Sequence, residues 1–186
     1  SEDETLLDRY LEGEELDPAV LVVDLHTAVA RGHFHPAVAC APLAGVGVQE
    51  LLDLLVQAFP SPLEHPCPPV TRPDGAPAAP LVCDPDGPLA AEVVRTTNDA
   101  YLGRVSWVRV FSGTLSPDTA VHVSGHWTER PAHESDGRIG ALASPLGAAL
   151  RPVAQCPAGD LCAVAKLTGA ETGDTLSDTR EPLLLL

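Results

Sequence analysis

Between Pro60 and Pro88 the chain carries ten of its 19 prolines, interleaved with glycine, alanine and aspartate. Proline fixes φ and has no backbone N–H, so neither a helix nor a central strand runs through such a stretch. It is expected to be an extended, semi-rigid connection that marks a domain boundary. The parts on either side must then each find their own core. The whole chain, 186 residues and 45% hydrophobic, is long enough for one ordinary domain or two small ones and too apolar to be wholly disordered. Aromatics are only 4%, so any core is mostly Val, Leu and Ala.

Eleven basic residues against 26 acidic ones give a net charge of −15. That field repels phosphate backbones at long range and excludes a general DNA-coating protein, leaving room only for a local basic patch. No apolar run reaches membrane-spanning length and no signal segment opens the chain, so a soluble, cytoplasmic protein with no membrane and no DNA partner is expected. The five cysteines (Cys40, Cys67, Cys83, Cys156, Cys162) are odd in number and contain no C-x-x-C, which points to reduced, mostly buried thiols rather than a disulfide framework or zinc knuckle. Methionine is absent, even at position 1, and the chain is expected to be cut from something longer.

Before the prolines the pattern is helical. Residues 3–13 place Leu7, Tyr10 and Leu11 at i, i+3, i+4, with Gly13 as a left-handed stop. Asp17-Pro18 is a capping side chain followed by proline at the first helical position, and Leu21, Val22, Leu25 and Val29 make an apolar face ending at Arg31-Gly32. The unbroken apolar run 36–43 predicts a strand covered on both faces. Gly45-Val46-Gly47 follows, then a helix with Val48, Leu51, Leu52, Leu55, Val56 and Phe59 on one face. Residues 36–59 thus read as one strand-loop-helix unit of an α/β layer, which cannot close a sheet by itself.

After the prolines the period changes. Short β-rich segments at 88–96, 103–111, 119–125, 137–142 and 160–167 alternate with turn signals such as Asn98-Asp99, Ser112-Gly113 and Thr172-Gly173-Asp174. This spacing predicts a closed or nearly closed barrel, a fold mainly β with an α/β N-terminal part. Within 103–111 the apolar phase predicts either a bulge near Trp107 or cover on both faces. The final EPLLLL is an apolar tail for which the sequence offers no partner.

Chemistry-bearing constellations are sparse. His33-Phe34-His35 lacks a further ligand at metal spacing and reads as a helix-end pair. His122 and His126 are four apart but lie in strand and turn, so a helical zinc site fails. Asp84 and Asp86 read as turn residues, and no G-x-S-x-G elbow occurs. No metal site is indicated and no catalytic residue is assigned. The 45–47 glycines are either a turn requirement or part of a ligand loop at a helix N-terminus.

Several segments, in order, resemble bacterial elongation factor G and its elongation-factor-G-like relatives, the translational GTPases. DRYLEGEEL (8–16) is similar to the end of an insert in the GTPase domain, and APLAGVGVQELLDLLVQAFPSP (41–62) to that domain's final loop and helix. AYLGRVSWVRVFSGTL (100–115), AGDLCAVAKL (158–167) and TGDTLSD (172–178) are similar to the β-barrel second domain. The resemblance implies a division into 1–60, the C-terminal part of a GTPase domain; 61–87, a Pro-rich linker; 88–180, a translation-factor barrel; and 181–186, the start of a connection to a third domain.

The family's phosphate loop G-x-x-x-x-G-K-[ST] and guanine-reading N-K-x-D are absent, and the D-x-x-G at Asp84-Pro85-Asp86-Gly87 falls after the final helix instead of before it. The resemblance therefore implies GTP and Mg in a parent protein but none in this fragment, which is not expected to hydrolyse GTP alone. It also implies that Ala41, Pro42 and Leu43 occupy a guanine-contacting loop, where Pro42 has no N–H to donate. Arg104, Arg109, Ser112 and Gly113 match positions for contact with small-subunit ribosomal RNA, and the implied partners are the ribosome, its RNA and protein, and the remaining domains of the parent. The two arginines, five apart, share a face only if the strand bulges between them. Translocation, recycling and ribosome protection are not separated. An independent β-barrel protein-binding module, and a small enzyme using Cys40 or a histidine, are the competing classes. Segment 124–139 is expected to be a variable loop.

Overall fold

The computed structural model describes residues 4–99, 103–125, 133–147 and 149–186. It divides into two units, 1–65 and 66–186.

In the first unit the local signals act as written. Helix α1 (Glu4–Leu11) ends where Gly13, at φ 82°, donates to the Tyr10 carbonyl. Helix α2 (Pro18–Ala30) is capped by Asp17 Oδ1, which accepts from the Ala19 amide at 2.9 Å, and it closes at Gly32, φ 73°. Helix α3 (Val48–Ala58) begins after Gly47 and packs against α2.

The expected strand over 36–43 does not form. Residues 33–40 are irregular, and Ala41 and Val46 share a single antiparallel bridge around a 3-10 turn at Pro42–Ala44. The reason is the one that argued for missing neighbours: a strand with no second strand to pair with leaves its backbone groups to water and gains nothing from extension. The N-terminal part is therefore helical rather than α/β. Its apolar faces are open to match: no residue of α2 is buried, and Leu51, Leu52, Leu55, Val56 and Phe59 are all exposed.

The second unit is built on an eight-stranded antiparallel sheet. Its strands are β2 (Ala90–Asp99), β3 (Gly103–Ser112), β5 (Ala120–Ser124), β6 (Glu134–Arg138), β7 (Leu142–Leu146), β8 (Ala149–Pro152), β10 (Leu161–Ala165) and β11 (Thr175–Ser177). Two short pairs flank it: β1 (Val70–Thr71) with β12 (Leu184–Leu185), and β4 (Thr114–Leu115) with β9 (Cys156–Pro157). The order in the large sheet is β6-β5-β11-β2-β3-β10-β7-β8. Strand β6 lies beside the segment that follows β10, where an added Cβ on Gly137 would stand 3.3 Å from Leu167 Cδ1. Inside lie Val93, Val108, Val110, Val121, Val123, Ile139, Leu115, Val164 and Leu176, a nearly aromatic-free core.

Four of the five expected β segments coincide with β2, β3, β5 and β10. The fifth, 137–142, is instead the corner between β6 and β7. Its apolar residues Ile139 and Leu142 are buried as expected, but as the point where the chain turns under the barrel. Strand β6, Glu134-Ser135-Asp136-Gly137-Arg138, carries no apolar residue because it is an edge strand with its outward positions in water.

Two further expectations are corrected by pairing. The proline-rich stretch is not only a connection: from Pro66 it belongs to the barrel unit and contributes β1. The EPLLLL tail has a partner, because Leu185 opposes Val70 and Leu184 opposes Thr71. The sequence hid both, since a two-residue strand has no period to read.

Candidate functional site

The loop at 41–47 is held by its own backbone. Ala41 donates to the Val46 carbonyl at 2.9 Å, Ala44 to Ala41 at 3.0 Å, Gly45 to Pro42 at 3.1 Å, and Val46 to Ala41 at 3.3 Å. These amides are used inside the loop and Pro42 has none, so as a cradle of N–H donors it is depleted. Leu43 stands fully exposed at the tip. Gly47 serves the turn: at φ 73°, an added Cβ would fall 2.4 Å from the Ala39 carbonyl oxygen.

On the barrel, the four residues expected to touch RNA are not brought to one surface. Pairing of β3 with β10 runs without a break from Leu161↔Arg109 to Ala165↔Val105. The bulge lies on the partner strand, where the β2–β3 register shifts between Val93 and Arg95 and leaves Val94 as the extra residue. Because β3 itself stays regular from Arg104 to Arg109, strict alternation puts these two arginines on opposite faces.

Each half-buried guanidinium is committed to the fold. Arg104 Nη2 donates to the Ala170 carbonyl, its Nε buried without a partner, and Arg109 Nη1 donates to the Gly159 carbonyl at 2.7 Å while its charge lies 5.8 Å from the centre of the Phe111 ring. Ser112 and Gly113 are buried. Gly113, at φ 76°, presses on Leu89, where an added Cβ would lie 2.7 Å from Leu89 Cα. The Ser112 hydroxyl faces Gly87 inside the turn.

The Asp84–Gly87 match is a tight turn. Asp84 Oδ1 accepts from the Asp86 amide at 3.0 Å, and the Asp84 carbonyl accepts from both Gly87 and Gly113. His122 lies on β5 with Nδ1 2.9 Å from Asp136 Oδ1; His126 is outside the described residues, as is much of the expected variable loop. His33 follows α2, its amide donating to the Ala28 carbonyl at 2.8 Å. No group of three His, Cys, Asp or Glu converges to hold a metal among the described residues, and no described helix is long and apolar enough to cross a membrane.

One polar pair with a buried carboxylate leaves almost no trace in the sequence. Asp174, with no exposure, takes His133 Nε2 at 2.9 Å and the Glu171 amide at 2.7 Å, which ties the start of β6 to the turn before β11. The only signal is Asp174 within the Thr172-Gly173-Asp174 turn; its histidine partner is 41 positions away.

The thiols are less buried than expected. Cys156 and Cys162 are in the core, Cys67 and Cys83 half-buried, and Cys40 exposed. Burial pushes the Cys67 thiol above its ordinary value, helped by nearby Cys83. Cys162 is pushed up further, by Cys156 beside it and by burial. Titration with a thiol reagent at neutral pH is therefore expected to modify Cys40 first and to reach Cys156 and Cys162 only on denaturation. Rapid modification of Cys162 in the folded chain would show that the core is open.

The family model for elongation factor G domain 2 matches residues 88–179, the stretch that folds as β2 through β11. The whole chain is 56% identical over 194 aligned positions to proteins named elongation factor G-like protein from two strains of Mycobacterium tuberculosis, CDC 1551 / Oshkosh and ATCC 25618 / H37Rv. Residues 88–179 belong to the elongation factor G domain 2 family. The chain spans 27% of the length of those relatives. A crystal structure of a Thermus thermophilus protein superposes with a TM-score of 0.64 at 30% identity, covering 97% of this chain and 23% of that one. The one lysine, Lys166, follows the end of β10 and belongs to neither a phosphate loop nor an N-K-x-D.

Proposed function

We propose that this chain acts within an elongation-factor-G-like translational GTPase, as the end of the GTPase domain followed by the barrel that faces the ribosome and couples nucleotide state to it. The supporting observation is the 56% identity along the entire chain, helices and barrel alike. GTP and Mg are held, in this reading, by residues outside this chain, and the depleted 41–46 loop supplies at most a minor part of a guanine pocket. The partner is the small ribosomal subunit. Of the four expected contact residues, Arg109 is retained: it stands on the outer face of β3, although its Nη1 is given to the Gly159 carbonyl. The others are anchored or buried. Whether the parent serves translocation, recycling or ribosome protection is a property of its other domains.

Purified chain is expected to show no GTP turnover above background; turnover would place the catalytic groups within these 186 residues and overturn the reading. Binding to isolated small subunits is expected to weaken with salt. Arg109→Gln is expected to reduce the slope of log affinity against log salt by about 1, one phosphate contact, with a small loss in the thermal transition from the lost bond to the Gly159 carbonyl. An unchanged slope removes Arg109 from the interface.

A further inference from the structure

The proline-rich strap and the last residues of the chain meet on the outside of the barrel. Val70 and Thr71 pair with Leu185 and Leu184, and the Leu186 amide donates to the Pro69 carbonyl at 2.9 Å. Both strands lie outside the region matched by the family's domain model. A ladder two residues long is not stable in water by itself. Two features hold this one. The first is a small second core in which Val70, Ala90 and Leu185 are buried against Leu81, Phe111 and Leu183. The second is β11, whose hydroxyls accept from the tail: Leu185 N–H reaches Thr175 Oγ1 and Leu183 N–H reaches Ser177 Oγ, each at 3.0 Å.

We infer that strap and tail form a clasp, one cooperative element less stable than the barrel, which couples the position of the strap to that of the tail without passing through the barrel core. This goes beyond the ribosomal reading and does not depend on it. Three features carry it. The two segments share both the ladder and the small core, so releasing either weakens the hold on the other. The prolines at 66, 68, 69, 73, 77 and 80 stiffen the strap, so a displacement near Pro66 reaches Val70 instead of being absorbed on the way. And the clasp borders a groove of about 450 Å³ between Arg72 and Leu81 of the strap and Arg180 and Leu183 of the tail, so neither segment is covered there by the barrel.

Amide hydrogen exchange on the full chain tests this. The amides of 70–72 and 183–186 are expected to open with one common free energy, below that of β3 and β10. Replacing Thr175→Val together with Ser177→Ala removes both hydroxyl acceptors. It is expected to speed exchange in the tail roughly tenfold, and in the strap by the same factor, while β3 and β10 keep their rates. Thr175→Ser, which keeps an acceptor, is expected to leave the protection at Leu185 and in the strap in place. Val70→Ala, on the opposite side of the ladder, is expected to speed exchange at 183–186 in turn. Acceleration of the tail with an unchanged strap makes the two segments independent and overturns the clasp. Equal acceleration of β3 and β10 merges it into the barrel's global unfolding and overturns it as well.

Discussion

Gly113→Ala is expected to destabilise the barrel unit by about 3 kcal/mol, the sum of a non-glycine residue at positive φ and an overpacked contact. The φ of 76° is the first part. The second is the 2.7 Å approach to Leu89 Cα, a backbone atom that cannot swing aside as a flexible side chain would. The turn is also pinned from two sides, its amide donating to Asp84 and its carbonyl accepting from Ala158, each at 2.8 Å. Gly103→Ala is the matched control. Its φ is 72° but nothing lies within 4 Å of the added carbon, so only the conformational part, about 1 kcal/mol, is expected. Urea midpoints of the two variants separate the effects, and equal losses would show that the close approach to Leu89 contributes nothing. Reduced ribosome binding by a Gly113 variant would accordingly report lost fold rather than a lost contact.

Leu176→Ala is expected to lower the stability of the same unit by about 2–5 kcal/mol, the range for a fully buried leucine that leaves a cavity. Leu176 has no exposure, and its three-residue strand joins β5 to β2, so the cavity opens where the sheet has least redundancy. Leu43→Ala, at an exposed loop tip in the first unit, is expected to stay within about 0.5 kcal/mol. Thermal unfolding followed by far-ultraviolet circular dichroism compares them. A loss under about 1 kcal/mol for Leu176→Ala would mean that the barrel interior collapses readily around the gap.

Much of this architecture was legible because the signals were local. Asp17-Pro18 started a helix, Gly13 and Gly32 stopped two, and alternating Val residues made β3 and β5, since each of these depends on chemistry within a few residues. The break in apolar phase near Trp107 was readable, but it marks no bulge within β3, which stays regular there. A break in apolar phase reports that something changes between two strands, and pairing alone shows that the additional residue is Val94 on the neighbour. That one difference separates Arg104 from Arg109, which the linear sequence presents as candidates for a shared surface.

The missing strand at 36–43 has the converse explanation. Its apolar run carries the residue pattern of a buried parallel strand, but such a strand exists only between neighbours, and among the described residues none pairs with it. Pattern states what a segment can do; partners decide whether it does. The same holds for the candidate site: the residue matches were visible, but burial of Ser112 and the anchoring of Arg104 on Ala170 are tertiary facts.

By itself, then, the amino-acid order determined where helices begin and end, where the chain changes from helical to β period, the aliphatic character of the core, and the family. The tertiary structure alone decided that the proline strap and the leucine tail pair with each other, that Asp174 is held by His133, and which face each arginine of β3 occupies. The division is physical. Caps, turns and periodicity arise from interactions a few residues apart, whereas pairing between Val70 and Leu185, or His133 and Asp174, depends on long loops being closed by a core that has already formed.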